Sequence, residues 1–260
     1  MTVSLTQVAV AYGSRAVLQH IDLQARAGQV VGIVGPNGSG KSTLVKAIAG
    51  HVPSTGAITF HGESVRPTQL GYMPQESLTP MVLTVLEVVL LGRLAQLGLQ
   101  VRDDDLQAVA QTLEHLGIAD LAGQRMGELS GGQRQLAYLA QALVSQPKYL
   151  LLDEPTSALD ISHQLEVLDL VRRLTKERGL ITLVVLHDLN AAARYCDEVA
   201  LMHQGRLLLC EPPAVALTVE HVSRVFDVEA EALTCSDGVG VLVASHRKVN
   251  SREWGNPNSI

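Results

Sequence analysis

The chain has 260 residues, 47% of them apolar and 18% charged, which is enough for one large domain with a substantial buried core. The formal net charge of −6 argues against a nucleic-acid partner, since binding to phosphate backbones requires basic surface. No apolar stretch is long enough to cross a bilayer and no signal segment opens the chain. We therefore expect a soluble polypeptide that meets a membrane only through partners.

The first 65 residues are predicted to form short strands joined by tight turns. Ile21 and Leu23 alternate with polar neighbours, as in a half-buried strand. Residues 29–34 are mostly apolar and suit a fully buried strand. After a glycine-rich loop, residues 42–50 have apolar side chains at helical spacing, and Gly50 is placed to end that helix.

The loop between this strand and this helix has the pattern G-x-x-x-x-G-K-[ST], which is typical of loops that bind nucleotide phosphates. Its glycines allow successive backbone N–H groups to point at anionic oxygens, and the helix presents its positive N-terminal end to them. Lys41 is expected to reach the β- and γ-phosphates, and the Ser42 hydroxyl to bind Mg²⁺. The predicted ATP-binding residues here are Gly35, Pro36, Asn37, Gly38, Ser39, Gly40, Lys41, Ser42 and Thr43.

From about residue 76 to residue 146 the apolar pattern becomes helical. One apolar stripe, ended by a glycine, consists of Leu106, Val109, Ala110, Leu113 and Leu116. A second, ended before a proline, consists of Leu136, Leu139, Ala140 and Leu143. This stretch is therefore predicted to be a helical subdomain inserted into an α/β core.

Two acidic residues, Asp153 and Glu154, directly follow the apolar residues 149–152. Their carboxylates should lie at the C-terminal edge of a parallel sheet, where ligands bind in open α/β folds. Asp153 suits a contact with Mg²⁺, and Glu154 suits a general base that polarises the attacking water. Taken alone, the pair could equally be a solvated turn. The phosphate loop favours function, because a nucleotide–Mg²⁺ site needs such a carboxylate.

Strands and helices alternate again after this pair. Residues 180–186 suit a buried strand, residues 189–195 a helix, and Gln204-Gly205 the turn of a hairpin. The alternation predicts a mainly parallel sheet that is covered on both faces. We expect one domain over residues 1–245 and a flexible polar tail over residues 246–260.

The run Leu129-Ser130-Gly131-Gly132-Gln133, called here the signature segment, is the most specific pattern in the chain. Ser130 suits the N-cap of a helix whose glycine-rich first turn exposes backbone N–H groups, so the run predicts a second anion site. Over about residues 1–215 the chain resembles the ATP-binding cassette (ABC) ATPases. The other motifs of that family follow in order: Tyr12 in the adenine-stacking position, Gln75 in the Q-loop, Ser157-Ala158-Leu159-Asp160 in the D-loop and His187 in the H-loop.

The resemblance implies the P-loop NTPase fold of ABC ATPases, an α/β fold with a mainly parallel core sheet, an antiparallel β subdomain and an inserted helical subdomain. It implies Glu154, His187 and Gln75 as catalytic residues, and Ser42, Gln75 and Asp153 as Mg²⁺ ligands. In the family, the histidine contacts the γ-phosphate and positions the glutamate. The remaining ATP-contacting residues would be Tyr12, Ser130, Gly131, Gly132, Gln133 and Asp160. Taken alone, Tyr12, Gln75 and His187 could each be an ordinary strand-end or loop residue.

In this family two cassettes pair head to tail, and each ATP lies between the phosphate loop of one and the signature segment of the other. The chain has one of each, so the resemblance implies a second copy of itself as partner. It further implies two integral membrane permease subunits and, indirectly, a substrate-binding protein. The expected location is the cytoplasmic face of the inner membrane.

Residues 71–75, 84–93 and 187–195 look like the group that imports iron chelates (siderophores), haem and cobalamin, while residues 77–82 are less typical. A soluble ABC ATPase of a non-transport system, for example iron–sulfur assembly, and an exporter ATPase with separate membrane subunits are the alternatives. The resemblance implies that other subunits, in the membrane and outside it, recognise the cargo.

Overall fold

The computed structural model describes residues 1–64, 67–75, 81–94, 101–234 and 240–247, with side chains described up to residue 245. The strands are β1 (Thr2–Tyr12), β2 (Arg15–Arg26), β3 (Gln29–Val34), β4 (Thr55–Phe60), β5 (Leu70–Met73), β6 (Tyr149–Asp153), β7 (Ile181–Val185), β8 (Glu198–His203), β9 (Arg206–Glu211), β10 (Val228–Thr234) and β11 (Gly240–Arg247). The helices are α1 (Lys41–Ala49), α2 (Val85–Leu91), α3 (Asp103–His115), α4 (Gly131–Leu143), α5 (Ile161–Arg178), α6 (Leu189–Tyr195), α7 (Pro213–Ala216) and α8 (Val219–Phe226).

The main sheet of the described residues has six strands in the order β5-β6-β7-β3-β8-β9. All neighbouring strands are parallel except β8 and β9, which form the predicted hairpin. Side chains of β3 alternate between the two faces, so Val31 and Ile33 join one apolar core and Val30 and Val34 the other. The predicted mainly parallel sheet, covered on both faces, is therefore confirmed.

A separate antiparallel sheet, in the order β2-β1-β4, forms the predicted β subdomain. Alternate side chains of β1, including Val3 and Leu5, are buried and share a core with Leu44 and Ile48 of α1. This contact fixes the β subdomain against the helix that follows the phosphate loop. It leaves the end of β1, at Tyr12, on the surface.

Helices α2, α3 and α4 pack on one another as the predicted helical subdomain, although residues 76–80 and 95–100 of that stretch lie outside the described residues. The predicted stripe on α3 is wrong at two positions: Leu106 is 42% exposed and Ala110 is exposed as well, whereas Asp105 is buried. Asp105 accepts hydrogen bonds from the Arg102 backbone N–H at 3.0 Å and from Arg93 Nε at 2.9 Å. The backbone N–H and the Arg93 guanidinium lower the pKa of Asp105, and the two partners compensate for its burial.

The chain continues after β9 with α7, α8 and the antiparallel hairpin of β10 and β11, which the sequence analysis did not assign. The first two residues of the predicted tail end β11, and residues 248–260 lie outside the described residues. Along the described ranges, no helix combines the length and the apolar character needed to cross a membrane.

Gly92, which follows α2, is a point of close packing against α4. A Cβ atom at Gly92 would lie 2.0 Å from the Gln141 carbonyl oxygen and 2.7 Å from Val144 Cγ1. The φ of −64° suits alanine, so only the clash matters. We expect Gly92→Ala to lower the free energy of unfolding, measured in urea, by about 1–3 kcal/mol. Gly123→Ala is the control, because no atom lies within 4 Å of its Cβ position. Equal stability of the two variants would contradict the packing of α2 on α4.

Candidate nucleotide-hydrolysis site

Four parallel strands, in the order β5, β6, β7 and β3, end side by side at one edge of the main sheet. Gln75 follows β5, Asp153 ends β6 with Glu154 next to it, and His187 follows β7. The phosphate loop begins at Gly35, directly after β3. Residues far apart in the sequence are therefore brought together at the C-terminal edge, where ligands bind in open α/β sheets.

Two close approaches shape the phosphate loop, and both require glycine. Gly35 has φ of 155°, and a Cβ atom there would lie 2.2 Å from the Met202 carbonyl oxygen of β8. Gly40 has φ of 102°, and its Cβ would lie 2.6 Å from Leu18 Cδ2 of β2. The loop is thus held between the main sheet and the β subdomain, with the positive N-terminal end of α1 at its close.

Lys41, the first residue of α1, directs its ammonium back into the loop. Its Nζ donates to the carbonyl oxygens of Gly35 at 2.9 Å and Pro36 at 3.1 Å. Burial lowers the pKa of Lys41, and the negative charges of Glu154 and Asp153 oppose this shift. The loop therefore carries a buried cation near two carboxylates. The cation suits the binding of phosphate oxygens.

Asp153 is fully buried and only one of its two oxygens has a protein partner among the described residues. Oδ1 accepts from Ser42 Oγ at 2.9 Å, whereas Oδ2 has none. Burial raises the pKa of Asp153, and the bond from Ser42 opposes the shift. A buried carboxylate oxygen without a partner, next to a hydroxyl, fits a hard cation. No described group of three His, Cys, Asp or Glu side chains could form a complete cage, but Mg²⁺ at phosphates needs only one or two protein carboxylates.

Glu154 is held by a partner on each carboxylate oxygen. Gln75 Nε2 donates to Oε2 at 2.8 Å, and His187 Nε2 lies 2.6 Å from Oε1. The Glu154 side chain is 10% exposed, whereas that of His187 is 47% exposed. The backbone of Glu154 has φ of 57°, a left-handed conformation that costs a non-glycine residue about 1–2 kcal/mol. Backbone strain of this kind persists only where the surrounding structure holds it, and it is found most often at functional sites.

Gln135 of α4 is a site residue that the sequence analysis missed. Its Nε2 donates to the Glu154 carbonyl oxygen at 2.7 Å, and its Oε1 accepts from the Ala158 backbone N–H at 2.9 Å. The side chain is buried and ties α4 to the strained residue and to the D-loop. The sequence feature that could have indicated this role is the position of Gln135, a polar residue beside the apolar stripe of α4 and two positions after Gln133.

The signature segment lies against the D-loop (residues 157–160) of the same chain. Ser130 is the N-cap of α4, as predicted, and its Oγ accepts from the Gln133 backbone N–H at 3.2 Å. A Cβ atom at Gly132 would lie 3.0 Å from Leu159 Cδ2, so this contact is close. Asp160 is exposed and caps α5 by accepting from the His163 backbone N–H. Within the described chain, no hydrogen bond joins the signature segment to the phosphate loop.

Residues 18–157, more than half of the chain, match the sequence profile of the family described as ABC transporter. The chain is 39% identical to the hemin import ATP-binding protein HmuV of Vibrio cholerae over 85% of its own length and 89% of that protein's length. It is 35% identical to the iron(3+)-hydroxamate import ATP-binding protein FhuC of Bacillus subtilis, with 90% of each chain covered. It is 38% identical to the ABC transporter ATP-binding protein YvrA of Bacillus subtilis, but spans only 53% of that longer protein.

Solved structures give the same result. The fold superposes with a TM-score of 0.83, at 27% identity, on a metal-chelate type ABC transporter in an inward-facing conformation, over 95% of this chain and 98% of that chain. It superposes with a TM-score of 0.74, at 26% identity, on a dimeric bacterial ABC transporter cassette, over 81% of this chain and 98% of that one. The chain therefore belongs to the ABC transporter family and carries its ATPase domain.

Proposed function

We propose that this chain is the ATP-hydrolysing subunit of an importer for an iron chelate (siderophore), haem or cobalamin. The observation that carries the ATPase assignment is the Glu154 carboxylate, held between Gln75 and His187 beside a phosphate loop. The cargo class is supported by the similarity to relatives named for the import of hemin and iron(3+)-hydroxamate.

ATP binds with its phosphates in the loop formed by Gly35, Pro36, Asn37, Gly38, Ser39, Gly40, Lys41, Ser42 and Thr43. Backbone N–H groups and the N-terminal end of α1 face the phosphate oxygens. The Lys41 ammonium exchanges its contacts with the Gly35 and Pro36 carbonyls for the β- and γ-phosphates. Tyr12, which is 51% exposed at the end of β1, offers its ring face to the adenine.

Ser42, Asp153 and Gln75 are the proposed Mg²⁺ ligands. The unpartnered, buried Asp153 Oδ2 supports this assignment, and Gln75 keeps its side-chain carbonyl oxygen as a ligand atom while Nε2 binds Glu154. Bound Mg²⁺ would neutralise charge on the β- and γ-phosphates.

Glu154 acts as the general base for hydrolysis. Its carboxylate accepts a proton from a water molecule whose oxygen bonds to the γ-phosphorus, and the bond from that phosphorus to the bridging oxygen breaks with its electron pair left on ADP. His187 keeps the carboxylate oriented and is available to the γ-phosphate, since nearly half of its side chain is exposed. Gln75 holds the second carboxylate oxygen.

One chain supplies only half of the enclosed site. The signature segment of a second copy, with Ser130, Gly131, Gly132 and Gln133, covers the γ-phosphate, and Asp160 lies at the same junction. The exposed helix N-terminus at Ser130 supplies donors and excludes water from the phosphate. The dimeric form of a similar cassette supports the pairing of two copies.

The importer assignment requires two integral membrane permease subunits, and indirectly a substrate-binding protein, with this chain on the cytoplasmic face of the inner membrane. We expect the tagged chain to recover a polytopic membrane protein from detergent-solubilised membranes, identified by mass spectrometry. The same membranes with the tag alone are the control. Recovery of soluble partners without any polytopic protein would overturn the importer assignment while leaving the ATPase assignment intact.

A further inference from the structure

The first turn of α6 is joined to the C-terminal hairpin (β10 and β11) by one side chain. Asn190 Oδ1 accepts from the Leu242 backbone N–H at 2.8 Å, and Asn190 Nδ2 donates to the Leu242 carbonyl oxygen at 3.2 Å. A carboxamide has the same donor and acceptor as a peptide unit, so Asn190 pairs with β11 as a neighbouring strand would. The two residues are 52 positions apart in the sequence.

His187 lies two residues before the first residue of α6. Asp188 caps the helix by accepting from the Asn190 and Ala191 backbone N–H groups at 2.8 and 3.2 Å. Asn190 is therefore fixed to the residue that directly follows His187. Since α6 has only seven residues, a shift of its first turn would move the backbone that carries the imidazole.

The opposite side of α6 packs on the strand that leads into the phosphate loop. Ala192 and Cys196 are buried, and a Cβ atom at Gly32 of β3 would lie 2.6 Å from Cys196 Sγ. Helix α6 is thus held between β3 and the C-terminal hairpin, where Leu242 is partly buried against the main core. The hairpin is therefore one of the surfaces, together with β3, α5 and α7, against which α6 lies.

We propose that the C-terminal hairpin positions His187 for ATP hydrolysis through the paired hydrogen bonds of Asn190, which makes Asn190 a positioning residue of the ATPase site. The proposal rests on the function proposed above. The His187 side chain is 47% exposed, so tight packing does not fix its contact with Glu154 at 2.6 Å. The position of the His187 imidazole therefore depends on its backbone. Contacts that support the backbone, such as those of Asn190, determine how accurately a catalytic group is placed.

The test replaces Asn190 by leucine, which has a similar shape but forms no hydrogen bond. We expect the kcat for ATP to fall by about 3- to 10-fold, while the Kd for ATP changes by less than about twofold, because the phosphate loop is untouched. The Cε1–Hε1 NMR signal of His187, assigned by its loss in His187→Gln, is expected to shift. Ser245→Ala is the control. It removes a hydroxyl that donates to the Glu229 backbone carbonyl oxygen within the hairpin, and it should change neither the kcat nor the His187 signal.

An unmoved His187 signal or an unchanged kcat in Asn190→Leu would overturn the proposal. So would a Kd that rises in parallel with the loss of kcat, because that indicates a general disturbance of the site. If the leucine variant melts below the assay temperature, Asn190→Asp serves instead, since it keeps the acceptor for Leu242 N–H and loses the donor. A wild-type chain without ATPase activity would instead overturn the proposed function, and the NMR comparison would still test the link between hairpin and histidine.

Discussion

Replacing Glu154 by glutamine is expected to lower the turnover of ATP by at least about a hundredfold while ATP binding is retained. Glutamine has the shape of glutamate but cannot accept the proton of the attacking water. In the proposed site, other residues, in the phosphate loop, make the contacts that bind ATP, so affinity should be preserved. Because ATP is not consumed, the variant should also accumulate as an ATP-bound dimer.

Phosphate release measures the turnover of this variant, a fluorescent nucleotide measures binding, and sedimentation with ATP measures dimer formation. Glu166→Gln is a matched control, because Glu166 is an exposed glutamate on α5 outside the site. A Glu154→Gln variant with normal turnover would remove Glu154 from the role of base. Loss of nucleotide binding would instead assign it a structural role.

The central strands and the phosphate loop could be predicted because their signals are local. Four large residues before Asp153, or a glycine-rich turn before Lys41, can be recognised without any long-range contact. The arrangement of Gln75, Glu154 and His187 could not be derived in this way, since it depends on which strands are neighbours. The family resemblance supplied the residues and the link from His187 to Glu154, but not the hydrogen bond from Gln75 to Glu154.

The missed features depend on contacts between distant residues. Strand β10 contains alternating glutamate and alanine, which favour helices, and it is a strand because β11 pairs with it. The periodicity of α3 placed Leu106 inward, but the buried position belongs to Asp105, which Arg93 and the Arg102 backbone N–H satisfy. Gln135 is buried because Glu154 and Ala158 provide its partners. In each case tertiary contacts override a local preference.

Replacing Ser130 by arginine is expected to prevent dimer formation with ATP. Turnover of ATP should fall by about a hundredfold, which is the typical effect of losing hydrogen-bond donors that stabilise a transition state. In the proposed pairing, Ser130 of one copy faces the γ-phosphate bound by the other, where a long side chain has no room. The arginine lies outside the chain's own phosphate loop, so each monomer should still bind ATP.

The substitution also removes the N-cap of α4, in which Ser130 Oγ accepts from Gln133 N–H, and this costs about 1 kcal/mol. Ser130→Ala loses the same cap and the same hydroxyl without adding bulk, so comparison of the two variants isolates the effect of the long side chain. Sedimentation in the Glu154→Gln background, with ATP present, compares dimer formation in the two variants. If Ser130→Arg dimerises as well as Ser130→Ala, bulk at this position does not hinder closure and the head-to-tail pairing is wrong. If only the arginine variant stays monomeric with ATP bound, the phosphate loop and the signature segment act on the same nucleotide from opposite copies.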